Sequence, residues 1–388
     1  MKITVSSQEL NKALQLVSKV LPSSNNPTMP ILKYFLFEVE GGNAIITATD
    51  LEVTAKAKAV LDDVEEDFRI AIEGERLLSL LKQLPDEPVT LEVKETNAEE
   101  ENGYPYSKQV YLTTTKARYS LLADDADDFP TVQFLNEEDE GVSTFTAPSF
   151  VIKRGIQTTF FAILNDNSRP NINGVLFDIR EDHLRLVATD VQRLTLYKYN
   201  LNTGIADNFI LPYRSAAFIK SLNVLDEEVK IIYNNKNVLF KWSGVEIISQ
   251  LVDGKFPDYE KVMAFETPFY VNVDRVDFLD ALKRISIVSD QSTNYIELNI
   301  ENNNLVINGK DMGLFIQGEE NLRVETNIEN HKVGFNGKLL VEVLNNLDAV
   351  IVSMKLADGH AMPVRFEPAE TDDENESIEM MLVTMHLD

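Results

Sequence analysis

Apolar residues recur along this chain at two alternating periods. Leu10, Ala13, Leu14, Val17 and Leu21 fall on one face at a 3.6-residue period and predict a helix over 8–20. The run from Phe35 to Asp50 then alternates around Gly41-Gly42 and predicts a hairpin. Val175 to Asp190, around a turn at Glu181, has the same form, as does Ile296 to Asp311, around Asn302. In each, the turn precedes an aspartate by nine residues, and the three aspartates are separated by 140 and 121 residues, near one third of the 388-residue chain.

Other landmarks recur in step with the hairpins. A helical pattern precedes each one: the stripe above, a stretch opening at Ala147-Pro-Ser-Phe150 and running through Ile156 and Phe160, and one from Asp274 carrying Phe278, Leu279, Leu282 and Ile285. A second helical stretch follows each: Glu75–Leu84, Pro212–Leu222 and Asn336–Leu347. Phe129-Pro130 and Phe256-Pro257 close the first two units. The expected fold is α+β: three copies of one unit, each with two helices packed on antiparallel sheets, spanning 1–132, 133–262 and 263–388.

Charge changes this picture. The chain carries 63 Asp and Glu against 36 Lys and Arg, a net of −27, which argues against affinity for nucleic acid or anionic membranes. The sum hides an arrangement. The six helical stretches hold twelve basic and five acidic residues, a net of +7, and the remainder carries −34. Helices gathered on one side would give a basic surface able to hold a polyanion without reading its sequence. The acidic runs Glu99–Glu101, Glu137–Glu140 and Glu370–Glu376 read as solvated loops.

Composition removes much chemistry. With no cysteine there are no disulfides, thiolate metal sites or cysteine nucleophiles. No run of about 18 apolar residues occurs, so no membrane partner is expected, and the protein is expected to be soluble and cytoplasmic. His183, His331, His360 and His386 are scattered without ligand spacing, and no phosphate loop or nucleophile elbow is present. Asp50, Asp190 and Asp311 recur in all three units, which favours a turn-capping task over catalysis. No cofactor and no enzymatic activity are expected.

Five stretches in order carry a family likeness: Met1-Lys-Ile-Thr-Val5, Asn26-Pro-Thr-Met-Pro-Ile-Leu32, Ala188-Thr-Asp-Val-Gln-Arg-Leu194, Leu251-Val-Asp-Gly-Lys-Phe-Pro-Asp-Tyr259 and Gly334-Phe-Asn336. Over its whole length the chain resembles the bacterial sliding clamp, the beta subunit of DNA polymerase III. The resemblance implies a processivity factor. Two subunits close head to tail as a homodimeric ring of six domains, with the helices lining a hole for double-stranded DNA. The implied partners are the replicative polymerase, the clamp loader and other clamp-motif proteins. The alternative is a repeat-built protein-interaction scaffold that binds no DNA.

The resemblance also implies sites. A partner-peptide pocket would use Ile172, Thr189, Val191, Gln192, Arg193 and Leu194, then Pro257, Lys261 and Val262, and finally Asn336, Leu339, Pro363, Val383, Met385 and Leu387. Tyr119 and Leu121 would meet Ile287 and Val288 at the subunit interface. Lys12, Lys19, Lys82, Lys153, Arg154, Arg169, Arg214, Lys220, Lys283 and Arg284 would face DNA. Val191 and Gln192 stand where the family commonly has Gly followed by His or Tyr, so the groove is expected to change shape.

Overall fold

The computed structural model describes residues 1–22, 29–95, 108–224, 227–359 and 362–386. The loop Ser23–Asn26, the acidic stretch Glu99–Tyr106, His360 and Leu387 lie outside the described residues. Seven helices occur among the described residues: α1 (Ser7–Val17), α2 (Gly74–Leu81), α3 (Ser149–Phe160), α4 (Tyr213–Ser221), α5 (Tyr259–Met263), α6 (Arg275–Val288) and α7 (Gly337–Asn346). Six match the stripes. The seventh, α5, is too short to show a periodicity.

Local chemistry sets the helix starts. The Ser6 side chain accepts from the N–H groups of Gln8 and Glu9 to open α1, and Asp274 accepts from Val276 and Asp277 to open α6. Asn336 accepts from Lys338 and Leu339 to open α7. Each satisfies donors that the first helical turn leaves without an intrahelical partner.

The chain packs as two compact units, Met1–Ser149 with Ala217–Leu251, and Phe150–Ala216 with Val252–Asp388. The middle repeat is divided between them, because strands pair across the repeat boundaries. In the first unit, Val53–Val60 pairs antiparallel with Val245–Gln250 inside a 13-stranded sheet. In the second, Arg193–Asn200 pairs with Glu376–Leu382 inside a nine-stranded sheet. A separate four-stranded sheet ends on the strand Ile316–Arg323. Phe35, Phe37 and Phe240 are fully buried in the first unit, and Phe177, Tyr197, Phe278, Phe335 and Phe366 in the second. α3 lies close on its sheet because it carries Gly155, where a Cβ would come within 2.9 Å of the Tyr197 ring. No described helix is long and apolar enough to cross a membrane.

Candidate functional site: a groove beside the Asp190 turn, two open strand edges and basic helix faces

The three recurrent aspartates cap turns. Asp50 Oδ1 accepts from the N–H groups of Glu52 at 3.0 Å and Val53 at 2.8 Å. Asp190 Oδ1 accepts from Gln192 at 3.0 Å and Arg193 at 2.9 Å. Asp311 Oδ1 accepts from Gly313 at 2.9 Å and Leu314 at 3.0 Å. Each carboxylate is occupied with backbone donors two and three residues ahead, the aspartate turn of local capping. Among the described residues no group of three or more His, Asp or Glu could hold a metal.

The second of these turns carries Thr189, Val191, Gln192 and Arg193 of the expected pocket. Thr189 Oγ1 donates to the Arg193 carbonyl at 2.6 Å and accepts from the Val191 N–H at 3.1 Å. Val191 takes φ +79, the left-handed conformation a glycine would adopt. It presents an isopropyl group, 58% exposed, beside the turn. Arg193 is buried, with Nε donating to Asp190 Oδ2 at 2.9 Å and Nη1 to Glu342 of α7. Its guanidinium also lies over the Phe161 ring at 4.9 Å. Ile172 and Leu194 share a buried apolar cluster with Leu176, Phe256, Tyr259 and Met381.

The other residues expected at the pocket belong to α5, α7 and the chain's last residues. Pro257, Lys261 and Val262 are exposed, and Lys261 Nζ pairs with Asp258 at 2.7 Å, which lowers the Asp258 pKa. The Val383 N–H donates to the Gln192 carbonyl at 3.0 Å, and the Met385 N–H to Gly334 at 2.8 Å. Leu339, Pro363, Val383 and Met385 are half-buried. Backbone hydrogen bonds thus tie the last residues of the chain to the Asp190 turn and to Gly334.

Sequence reasoning missed what holds α5. The Tyr259 hydroxyl donates to buried Asp178 Oδ2 at 2.5 Å. Arg185 Nη1 donates to the Tyr259 oxygen at 3.0 Å and to Glu260 at 2.6 Å. From the other side, Arg365 Nη2 donates to the Met263 carbonyl at 2.8 Å. Burial, and then the Asp178 hydrogen bond, push the Tyr259 hydroxyl up to about 12. Glu342 was missed as well, although it was one of only five acids in the basic helical stretches. That exception was its signal.

The basic residues of the helix faces differ in their surroundings. Lys12, Lys82, Arg169 and Arg214 are exposed, and Lys153 and Lys220 are half-buried. Lys19 is exposed, with Nζ donating to the Ser221 carbonyl at 2.9 Å. Arg154, however, is bound to Glu376, with Nε at 2.6 Å and Nη2 at 2.8 Å, and reaches Asp348 at 3.4 Å. Hydrogen bonding to Glu376 raises the Arg154 pKa. Arg284 is bound bidentately by Glu320 at 2.8 and 2.6 Å, and Lys283 pairs with Asp280 at 3.3 Å. The charges of Arg154 and Arg284 are spent on acids of neighbouring strands, which a count along helices omits. Glu376, read as part of a solvated run, is 12% exposed.

Among the described residues, the strand edges left open include those of Arg118–Asp124 and Ile316–Arg323. Arg118–Asp124 pairs with Lys108–Thr113 on one side, and on the other only Ala123 and Asp124 find partners, Ile72 and Ala71. Ile316–Arg323 pairs with Asn304–Asp311 alone. Leu121, expected at an interface, is 4% exposed in the single chain, with Tyr119 half-buried. Ile287 is 75% exposed and Val288 half-buried.

Comparison with known proteins agrees along the whole chain. Family profiles of the DNA polymerase III beta subunit match in order: the N-terminal domain at 1–133, the central domain at 146–258 and the C-terminal domain at 262–382. The beta sliding clamp of Pseudomonas aeruginosa is 30% identical over 376 residues, 96% of this chain and 97% of that protein. That of Escherichia coli is 28% identical over 361 residues, 92% and 93% of the two chains. A crystal structure of the Pseudomonas aeruginosa sliding clamp bound to griselimycin superposes with a TM-score of 0.89 at 29% identity, covering all of both chains. The Thermotoga maritima beta subunit shares the fold, with a TM-score of 0.87 at 24% identity. The chain belongs to the bacterial beta sliding clamp family, the non-catalytic subunits of DNA polymerase III that act as DNA sliding clamps in replication.

Proposed function

We propose that two copies of this chain close head to tail around duplex DNA in the cytoplasm, are placed there by a clamp loader, and tether the replicative polymerase and other clamp-motif proteins at the groove beside Asp190. The three repeats would run 1–132, 133–262 and 263–388. Lys12, Lys82, Lys153, Arg169, Arg214 and Lys220 would supply the loose, sequence-blind contacts to DNA. A shallow apolar floor with the flexible Met385 at its edge suits short motifs of varied sequence.

One observation carries the ring reading. Twice in the chain, the strand after an aspartate-capped turn takes up the last strand of the next repeat: Val53–Val60 takes Val245–Gln250, and Arg193–Asn200 takes Glu376–Leu382. The third such strand, Ile316–Arg323, ends its sheet among the described residues. The first repeat's last strand, Arg118–Asp124, has a largely open edge. A second copy supplies each with its missing neighbour. That contact is heterologous, so it closes into a ring when the rotation per subunit allows it. A protein-only scaffold leaves the exposed lysines on the helices without a task.

The test is topological. Loaded by a clamp loader onto nicked circular plasmid, the protein should stay bound through gel filtration and be lost once the plasmid is cut. Equal loss from circular and linear DNA overturns the reading.

A further inference from the structure

In the first two repeats the aspartate-capped turn has two residues. Asp50 bonds back to Val53 across Leu51-Glu52, and Asp190 to Arg193 across Val191-Gln192. In the third, Asp311 sits opposite Ile316, leaving a four-residue turn, Met312 to Phe315. This longer turn is the most exposed apolar feature described: Met312 is 74%, Leu314 67% and Phe315 95% exposed, with Ile287 at 75%. Isolated apolar residues on a surface need no explanation, but a cluster of this kind marks an interaction surface.

The internal seams say what lies beside such a turn. At each, the incoming strand of the next repeat bonds to the turn itself: Gln250 N–H to the Glu52 carbonyl at 3.1 Å, and Val383 N–H to the Gln192 carbonyl at 3.0 Å. The register there can be carried to the open edges. Val252 bonds to Ile210, as Asp124 pairs with Ala71 at the same place in the first repeat. Ser249 therefore corresponds to Leu121, and Glu246 to Arg118. Ser249 lies opposite Val53 and Glu246 opposite Lys56. Val53 and Ile316 each lie directly across the turn from their aspartate, Asp50 and Asp311.

The transferred register sets the partner subunit's Leu121 opposite Ile316, the partner subunit's Tyr119 opposite Gly318 and the partner subunit's Arg118 opposite Glu319. Each pairing is chemically apt. Leucine meets isoleucine. Tyrosine faces a glycine where a Cβ would come within 2.8 Å of Val288, so that strand has no side chain of its own there. Arginine meets glutamate, the reverse of the Lys56 and Glu246 match at the internal seam. Directly opposed side chains of opposite charge support a strand pair, whereas like charges oppose it.

We infer that the four-residue turn Met312–Phe315 is an apolar plug specific to the subunit seam, packed on the second copy alongside Leu122 to Phe129. The inference rests on the head-to-tail reading and adds to it. The seam between subunits lacks the covalent continuity that holds the two internal seams closed, and the plug supplies apolar burial that the two-residue turns do not need to provide.

The absence of cysteine makes both levels testable in the full chain. A Leu121→Cys, Ile316→Cys double variant should oxidise to covalent dimers only by crosslinking across the seam. Separately, Leu314→Ser with Phe315→Ser should weaken the dimer dissociation constant, read by sedimentation, by at least about 100-fold, the scale of two large apolar side chains left in water. The melting curve checks that the fold is intact. No crosslink, together with a wild-type chain that sediments as a monomer, overturns the head-to-tail reading itself. A crosslink with an unchanged dissociation constant in the serine variant overturns the plug alone. So does a serine variant that dimerises normally but no longer retains polymerase, since the turn's occupant would then be another protein.

Discussion

Val191 is a β-branched residue held at φ +79, and Leu51 occupies the same place in the first repeat with the same angle. A left-handed conformation costs an L-residue roughly 1–2 kcal/mol, because Cβ crowds the following carbonyl. The turn is over-determined: Thr189 and Asp190 between them fix the N–H groups of Val191, Gln192 and Arg193. Strain of this kind persists where the surroundings impose it, and here it projects an apolar side chain at the groove's rim. Val191→Gly should remove the strain at some cost in unfolded-chain entropy, so the melt should show a net gain of about 1 kcal/mol. A loss would mean that the side chain packs more than its exposure indicates. The aspartates of these turns were legible in the sequence because a turn cap is a local motif that recurred three times. The fate of Arg193 was not, because Glu342 is 149 residues away and no local pattern links them.

At the level of elements, all six amphipathic helices and all three hairpins stand close to where the periodicity put them, with α1 and α2 ending three residues before the expected ends at Val20 and Leu84. Strand exchange between repeats was invisible, because the pattern of one strand does not name its neighbour. The same distance hid the ion pair of Arg154 with Glu376, which fastens α3 to the strand Glu376–Leu382. Arg154 is therefore expected to behave unlike the exposed Lys82. Replacing Lys82 by alanine should lower the slope of log affinity for duplex DNA against log salt by about one unit while leaving the melt unchanged. Arg154→Ala should leave that slope in place and cost about 1 kcal/mol of stability, a figure kept low because the guanidinium is 39% exposed and screened. If both variants change the salt slope equally, Arg154 faces DNA after all.

For the whole molecule, the charge of −27 acquires a different meaning once it is placed. Acids predominate outside the helices, and several reach back to neutralise helix cations, as Glu376 and Glu320 do. On the proposed ring, the lining that remains is a sparse set of lysines and arginines, too few for tight binding by contacts. A protein that held DNA by Z phosphate contacts would lose affinity with a log–log salt slope of about −0.9Z, several orders of magnitude across the physiological range for six or more contacts. A closed ring has no such dependence, because leaving circular DNA requires the seam to open rather than contacts to break. The lifetime on closed circular plasmid, measured after loading by a competitor-trap assay, should therefore vary little as salt rises from roughly 0.05 to 0.2 M, a range over which contact binding would weaken about 10³-fold or more. Whatever dependence remains should track the Arg118 and Glu319 pairing at the seam, and it should shrink when that pair is replaced by Ser and Thr. A lifetime on circles that falls as steeply as on linear DNA would assign retention to charge and not to closure.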